Sequence, residues 1–242
     1  MNFLSSEDQI AYRDSVATML AAEVTAESIR ARWNSPKGVD EKVIQQLNEM
    51  GLNAMLVPES CGGLGLSEQD FILLAQECGR AALPEPLVDN VLVANAMLAD
   101  IACSDLDSAQ QCKDLLSEVV TGKVMLACGH WINPFINMAD INEWLLLSHG
   151  DEVHLVENSA VELLPQRSAD PSRRIFTVNW QPSGETRIAN GEIGAGLWRR
   201  ALNRGALGVA AQLIGLSESI LHRAVEFTTD REQFGRPVGS NQ

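Results

Sequence analysis

The 242-residue chain carries 32 Asp and Glu against 18 Lys and Arg, a formal charge of −14 at neutral pH. That acidity argues against nucleic-acid binding. No run approaches the roughly 18 apolar residues of a membrane span, the opening MNFLSSEDQI lacks the basic region and apolar core of a signal peptide, and five cysteines without a Cys-x-x-Cys pair are poor material for a disulfide framework. A soluble cytoplasmic protein with reduced thiols is expected.

The N-terminal part reads as helical. Ser6 to Gln9 forms a capping-box pattern, and Ile10, Val16, Leu20 and Val24 recur on one face, which predicts a first helix from Ser6 to Arg32. A second is expected from Asp40 to Met50, with Val43, Ile44 and Leu47 inward and Gly51 as terminator. Ser67 caps a third that buries Phe71, Leu74 and Cys78. After the break at Pro84 and Pro86 come a fourth, Leu87 to Asp100, and a fifth, Ser108 to Val120.

From Lys123 to about Arg187 the period changes. WLLLSHGDEVHLVE, Trp144 to Glu157, has the pattern of a hairpin turning at Gly150 and Asp151. RRIFTVNW alternates, with Arg174, Phe176, Val178 and Trp180 on one face, and about five strands are expected in all. His149 and His154 flank the hairpin turn without a matching set of metal ligands and read as strand or surface histidines. Leu197 to Thr229 then lacks proline and is rich in Ala and Leu, enough for a helix of roughly 50 Å. Gly205, Gly208 and Gly215 share a sector suited to close packing, and Glu218 with His222 reads as an ordinary pair one turn apart.

Charge is uneven along the chain. Residues 1–166 balance at −17 and residues 167–242 at +3, and every basic residue of the second part is Arg. Arg suits phosphates or buried carboxylates, so either anionic ligands or salt bridges to the acidic half explain it.

Two motifs in order carry a resemblance. Gly51 to Pro86 runs from a helix ending in Gly through Pro58-Glu59 and a Gly-Gly-x-Gly loop to a helix ending in Glu77-x-Gly79-Arg80, and the chain closes on REQFGRPVGSNQ. The Gly-rich loop follows no β-α unit and has no Lys-Ser or Lys-Thr after it, so it reads as a turn. An Arg-x-x-Phe-Gly string by itself also fits a helix end with Gly at the cap. Together the motifs resemble the acyl-CoA dehydrogenase family. The resemblance implies an α+β fold, mainly α: an N-terminal all-α domain over residues 1–122, a small middle β domain over 123–190, and over 191–242 the first long helix of a C-terminal bundle whose remaining helices are not in this sequence.

The same resemblance implies FAD as hydride acceptor and an acyl-CoA thioester as substrate, with electrons passing to an electron-transfer flavoprotein. In the family the Arg-x-x-Phe-Gly segment reaches the adenine and pyrophosphate end of a flavin held mainly by a neighbouring subunit. This implies that Arg231, Gln233, Phe234, Asn241 and Gln242 contact FAD across an interface of a homo- or hetero-oligomer. Trp131, Ile132 and Asn133 echo the family's Trp-Ile-Thr flavin segment, which makes Trp131 and Asn133 flavin contacts; Trp131 by itself reads as a core Trp beside a turn. The family's Thr-Glu-Pro and Gly-Ser-Asp motifs are absent after the first strand. Its catalytic carboxylate lies in most members beyond the matched region and in a minority on the long helix, where this chain has Gly205 followed by Ala206. The catalytic base is therefore unidentified. The role the resemblance implies first is a dehydrogenase carrying out α,β-dehydrogenation of a CoA thioester; the alternative is a non-catalytic partner subunit or fragment completing a related chain's flavin site.

Overall fold

The computed structural model describes residues 4–241. Helix α1 covers Glu7–Glu23 and α2 covers Ala26–Trp33, so the single helix expected from Ser6 to Arg32 is two. The chain breaks at Val24-Thr25 because Thr25 turns extended and its hydroxyl accepts from Ser28 N, while the Ser28 hydroxyl lies 2.9 Å from Thr25 N. A capping box inside an apolar pattern stops one helix and starts the next. Helices α3 (Glu41–Glu49) and α4 (Glu68–Arg80) follow the expected spacing, with Asp40 and Ser67 at their N-caps. Between them the Gly-rich loop spends its amides on itself: Gly63 N donates to Pro58 O, Leu64 N to Ala54 O and Gly65 N to Val57 O. A Cβ on Gly63 would lie 2.0 Å from Val57 O. Gly63→Ala is thus expected to destabilise the protein by ~2 kcal/mol, measured as a lowered urea midpoint; an unchanged midpoint would show that the loop gives way.

The expected fourth helix begins as a π-helical stretch, Val88–Asn95, and continues as α5, Ala96–Ala102; α6 spans Ala109–Val120. The Asn90 side-chain amide donates to Leu126 O and, at 2.7 Å, to Asn142 Oδ1, which ties the π stretch to the β region. Seven strands follow, two more than expected: β1 Leu126–Gly129, β2 Ile136–Asn137, β3 Trp144–His149, β4 Glu152–Glu157, β5 Glu162–Gln166, β6 Ile175–Asn179 and β7 Arg187–Ala189. Strands β2 and β7 are too short to show alternation and are defined by their partners alone. One sheet has the order β1-β3-β4-β7, with β1 and β3 parallel, and the other β2-β6-β5, antiparallel throughout.

Alternation along β3 and β4 assigns the two faces of the first sheet. Leu146, Val153 and Leu155 join Met97, Leu98, Leu116, Leu126 and Trp198 against the helices. Leu145, Leu147 and Val156 pack with Ile136 and Phe176 of the second sheet. A third cluster fills the N-terminal helices, where Phe71 and Leu74 are 1% exposed, each burial worth roughly 1.5–3 kcal/mol.

Helix α7 runs 40 residues, Gly191–Asp230, past the helix-facing side of the first sheet and the N-terminal helices. Its glycines explain its closeness to α4. A Cβ on Gly215 would meet Gln76 O at 1.8 Å, and one on Gly79 of α4 would meet Gln212 O at 2.0 Å, so the backbones touch where no side chain intervenes. Glu218, expected to pair with His222, instead accepts from Arg80 and Gln76 of α4, and His222 pairs with Glu226 at 3.0 Å. Beyond Gly215 the outer side of α7 is apolar and exposed, with Ile220, Leu221, Val225 and Phe227 each more than half accessible. Among the described residues no helix is long and apolar enough to cross a membrane.

Candidate functional site

The closing segment is a hairpin and not a capped helix end. Helix α7 stops at Asp230, Arg231 turns extended, and strands β8 (Glu232–Gln233) and β9 (Arg236–Pro237) pair through Gln233 and Arg236. The two residues between them, Phe234 and Gly235, sit at φ 54° and 76°, the left-handed pair of a type I′ turn. Gly235 takes that conformation freely, whereas Phe234 pays roughly 1–2 kcal/mol. What the strain achieves is exposure: Phe234 is 97% accessible. The Arg231 guanidinium lies over the Phe227 ring, 5.4 Å from its centroid, and among the described residues it has no carboxylate partner. Val238 N donates to Arg231 O at 2.8 Å and folds the tail, including Asn241, back on the helix end. Gln242 lies outside the described residues.

A second cluster forms at the other end of α7. Trp131 follows β1 in a tight loop, where its amide donates to Ser148 Oγ at 3.0 Å and Asn133 N to His130 O at 2.9 Å. Trp131 is 68% exposed, which corrects the reading of it as a core residue: the loop is pinned through its backbone and the indole is left outside. The His130 ring stands between Trp131 and Trp198 of α7, with centroids 5.5 and 5.0 Å away. These residues line an open cleft of about 460 Å³ with Arg199, Leu202 and Asn203.

Distance separates the two clusters. From Trp198 to Asp230 is 32 helical residues, about 48 Å at the α-helical rise. Both clusters suit a flavin dinucleotide, aromatic faces for rings and an unpaired guanidinium for pyrophosphate, yet one chain cannot apply both ends to the same molecule.

At Gly205, where the resemblance would place a base on the long helix, the chain offers only backbone, with Val93 Cγ2 at 3.6 Å from an added Cβ. The carboxylates nearby are engaged. Arg204 donates to Glu68 Oε1 at 2.9 Å and to Asp100 Oδ2 at 2.7 Å, and Arg200 lies 3.5 Å from Asp100. Burial raises the Glu68 pKa, but hydrogen bonds in the first turn and from Arg204 outweigh it and hold the carboxyl below its ordinary value. A base for proton abstraction needs a pKa nearer the working pH. Several C-terminal arginines therefore serve salt bridges to the acidic half, including Arg187 to Glu152 and Arg174 to Asp140, and among the described residues Arg231 does not.

Sequence reasoning missed one grouping. His149 and Glu152 are cross-strand partners and His154 lies two residues beyond Glu152, so all three share one sheet face. The signal was the hairpin register.

A helical half, two packed sheets and a long helix with an exposed aromatic cluster at each end make up the fold and its candidate site. Residues 6–123 match the model of the acyl-CoA dehydrogenase N-terminal domain and residues 193–242 that of the acyl-CoA dehydrogenase C-terminal domain. The chain belongs to the acyl-CoA dehydrogenase family. Acyl-CoA dehydrogenase IpdE2 of Mycobacterium tuberculosis is 29% identical over 98% of this chain and 68% of that protein. Among solved structures, the ChsE4-ChsE5 complex from Mycobacterium tuberculosis superposes with a TM-score of 0.80 at 19% identity, covering 100% of this chain and 72% of that one. The FAD complex of PigA gives a TM-score of 0.78 at 17% identity, covering 100% and 73%. At such identities the structural likeness concerns the fold.

Proposed function

We propose that this chain is a non-catalytic subunit of an acyl-CoA dehydrogenase assembly, completing the flavin site of a related chain. The observation that carries the reading is at Gly205, where no carboxylate is present and the neighbouring Glu68 and Asp100 are held by Arg204. The separation of the two flavin-suited clusters supports sharing between chains, as does the likeness to a structure described as a two-component complex. The apolar outer side of α7 is the surface on which a further helical layer would pack.

In this reading Arg231, Gln233 and Phe234, with Asn241 and Gln242 in the following tail, reach the adenine and pyrophosphate end of FAD bound chiefly by the partner. The Arg231 guanidinium grips the pyrophosphate, and the Phe234 ring supplies a flat apolar surface, the use for which its strained backbone is kept. Trp131 lines the second, cleft-side position, and Asn133 follows it in the same loop. When bound, FAD would accept the hydride leaving the β carbon of an acyl-CoA thioester while a carboxylate of the partner chain would take the α proton, with an electron-transfer flavoprotein as onward acceptor. The second reading, in which this chain is itself the dehydrogenase, is favoured by the family membership and by the open cleft under Trp131.

The test is FAD content and visible absorption of the purified chain, alone and co-expressed with a longer acyl-CoA dehydrogenase of the same organism. The chain alone is expected to be colourless and the complex yellow. Arg231→Ala in the complex should lower FAD retention at least tenfold, and Phe234→Asn, which keeps the turn, should weaken it severalfold. Stoichiometric FAD on the chain alone, bleached by acyl-CoA, would establish the second reading.

A further inference from the structure

The end of the β3-β4 hairpin holds a group of side chains with no part in the flavin reading. Glu152 Oε2 lies 3.1 Å from His149 Nδ1 and 3.2 Å from His154 Nε2, and the three atoms lie within 4.8 Å of one another. Its other oxygen, Oε1, is anchored by Arg187 Nη1 at 2.7 Å. For tetrahedral bonds of about 2.0 Å, ligand atoms stand about 3.3 Å apart. The two contacts around Oε2 already have that spacing.

The surroundings orient the ligands. His154 is 1% exposed, with Trp180 against its ring at 5.1 Å, and its Nδ1 is 2.9 Å from Thr186 Oγ1. Thr186 Oγ1 in turn donates to Ser183 O at 3.2 Å. With the Thr186 proton on Ser183 O, the Thr186 oxygen is an acceptor for His154 Nδ1–H, the tautomer that turns the Nε2 lone pair to Glu152 Oε2. In that tautomer a cation between the two lone-pair atoms, 3.2 Å apart, would hold them together. A histidine whose far nitrogen donates to a fixed oxygen is the usual arrangement of a metal-bound imidazole. The opposite side is open, since the His149 side chain is 61% exposed, which leaves a position for water.

We propose that His149 Nδ1, Glu152 Oε2 and His154 Nε2 bind one divalent transition ion of the zinc type, with water in the fourth position. Two imidazoles and a carboxylate select such an ion over magnesium or calcium, which take oxygen ligands. The ion would clamp the hairpin end beside α7, where Trp198 Nε1 donates to Glu152 O at 2.9 Å and Gly194 packs against Asp151 O. Its role is structural, and the site stands whichever flavin reading holds.

The test is titration of the chelator-treated full chain with Co²⁺, read by visible d–d absorption, followed by displacement with Zn²⁺. One equivalent is expected, with the band intensity of four-coordinate cobalt and a rise in Tm with Zn²⁺. His149→Ala, at an exposed position, should keep the fold by circular dichroism, weaken binding at least tenfold and abolish the Tm rise. His222→Ala, in the exposed pair with Glu226, should change neither. Binding of less than one equivalent, or equal affinity in the parent and His149→Ala, would overturn the proposal.

Discussion

Gly215→Val is expected to destabilise the protein by at least about 3 kcal/mol, the upper range of overpacking costs. The added Cβ meets Gln76 O at 1.8 Å and Arg80 N at 2.9 Å. These are backbone atoms of a neighbouring helix, and no rotamer relieves them. Helix α4 must retreat from α7, which opens the cluster containing Phe71, Leu74 and Ala211. Against a typical total of about 5–15 kcal/mol the loss is large and reads directly as a fall in the urea midpoint. Gly205→Ala on the same helix is the control: its Cβ meets Val93 at an ordinary 3.6 Å, so helix propensity should make it stabilising by about 0.5–1 kcal/mol. Equal effects at the two positions would show that close backbone approach does not set the α4-α7 contact.

Arg32→Met is expected to cost ~3–5 kcal/mol, because it strands a buried carboxylate. Arg32 and Glu85 are each 3% exposed, with Nε 3.2 Å from Oε1, and Glu85 also accepts from Asp40 N at 3.1 Å. Burial raises the Glu85 pKa, and Arg32 is the chief group opposing it. Removing Arg32 raises it further. A carboxyl whose folded pKa lies above its unfolded value takes up its proton earlier in the folded state, so stability rises as pH falls through the folded pKa. The deficit of Arg32→Met should therefore shrink as pH is lowered from neutrality toward the ordinary carboxylate range. A deficit constant with pH would assign the loss to packing. Replacing both partners, Arg32→Met with Glu85→Leu, should recover most of the stability.

The legible parts of the fold were those governed by neighbours in sequence. Helices α3 and α4 announce themselves through Asp40, Ser67 and apolar residues three and four apart, and the β3-β4 hairpin through alternation around Gly150. The same local logic misled at Thr25, where a capping box interrupts a continuing apolar stripe. Strands β2 and β7 were illegible because two or three residues carry no period. Trp131 looked like core because Trp usually is, yet its exposure follows from Ser148 anchoring its amide across the sheet. In the candidate site the Arg-x-x-Phe-Gly string was visible, while its hairpin and the outward Phe234 depend on two positive φ angles that no spacing shows.

By itself the sequence determined the family, the mainly helical α+β class, the long proline-free helix and the glycine at residue 205, because these depend on residue identity and on periods of a few residues. Only the tertiary structure decided that Gly215 and Gly79 bring two backbones together, that about 48 Å of α7 separates the Trp131 and Arg231 clusters, and that His149, Glu152 and His154 converge. Those depend on which distant segments share a surface, and burial and pairing, set by the whole chain at once, choose among the many arrangements that local propensity allows.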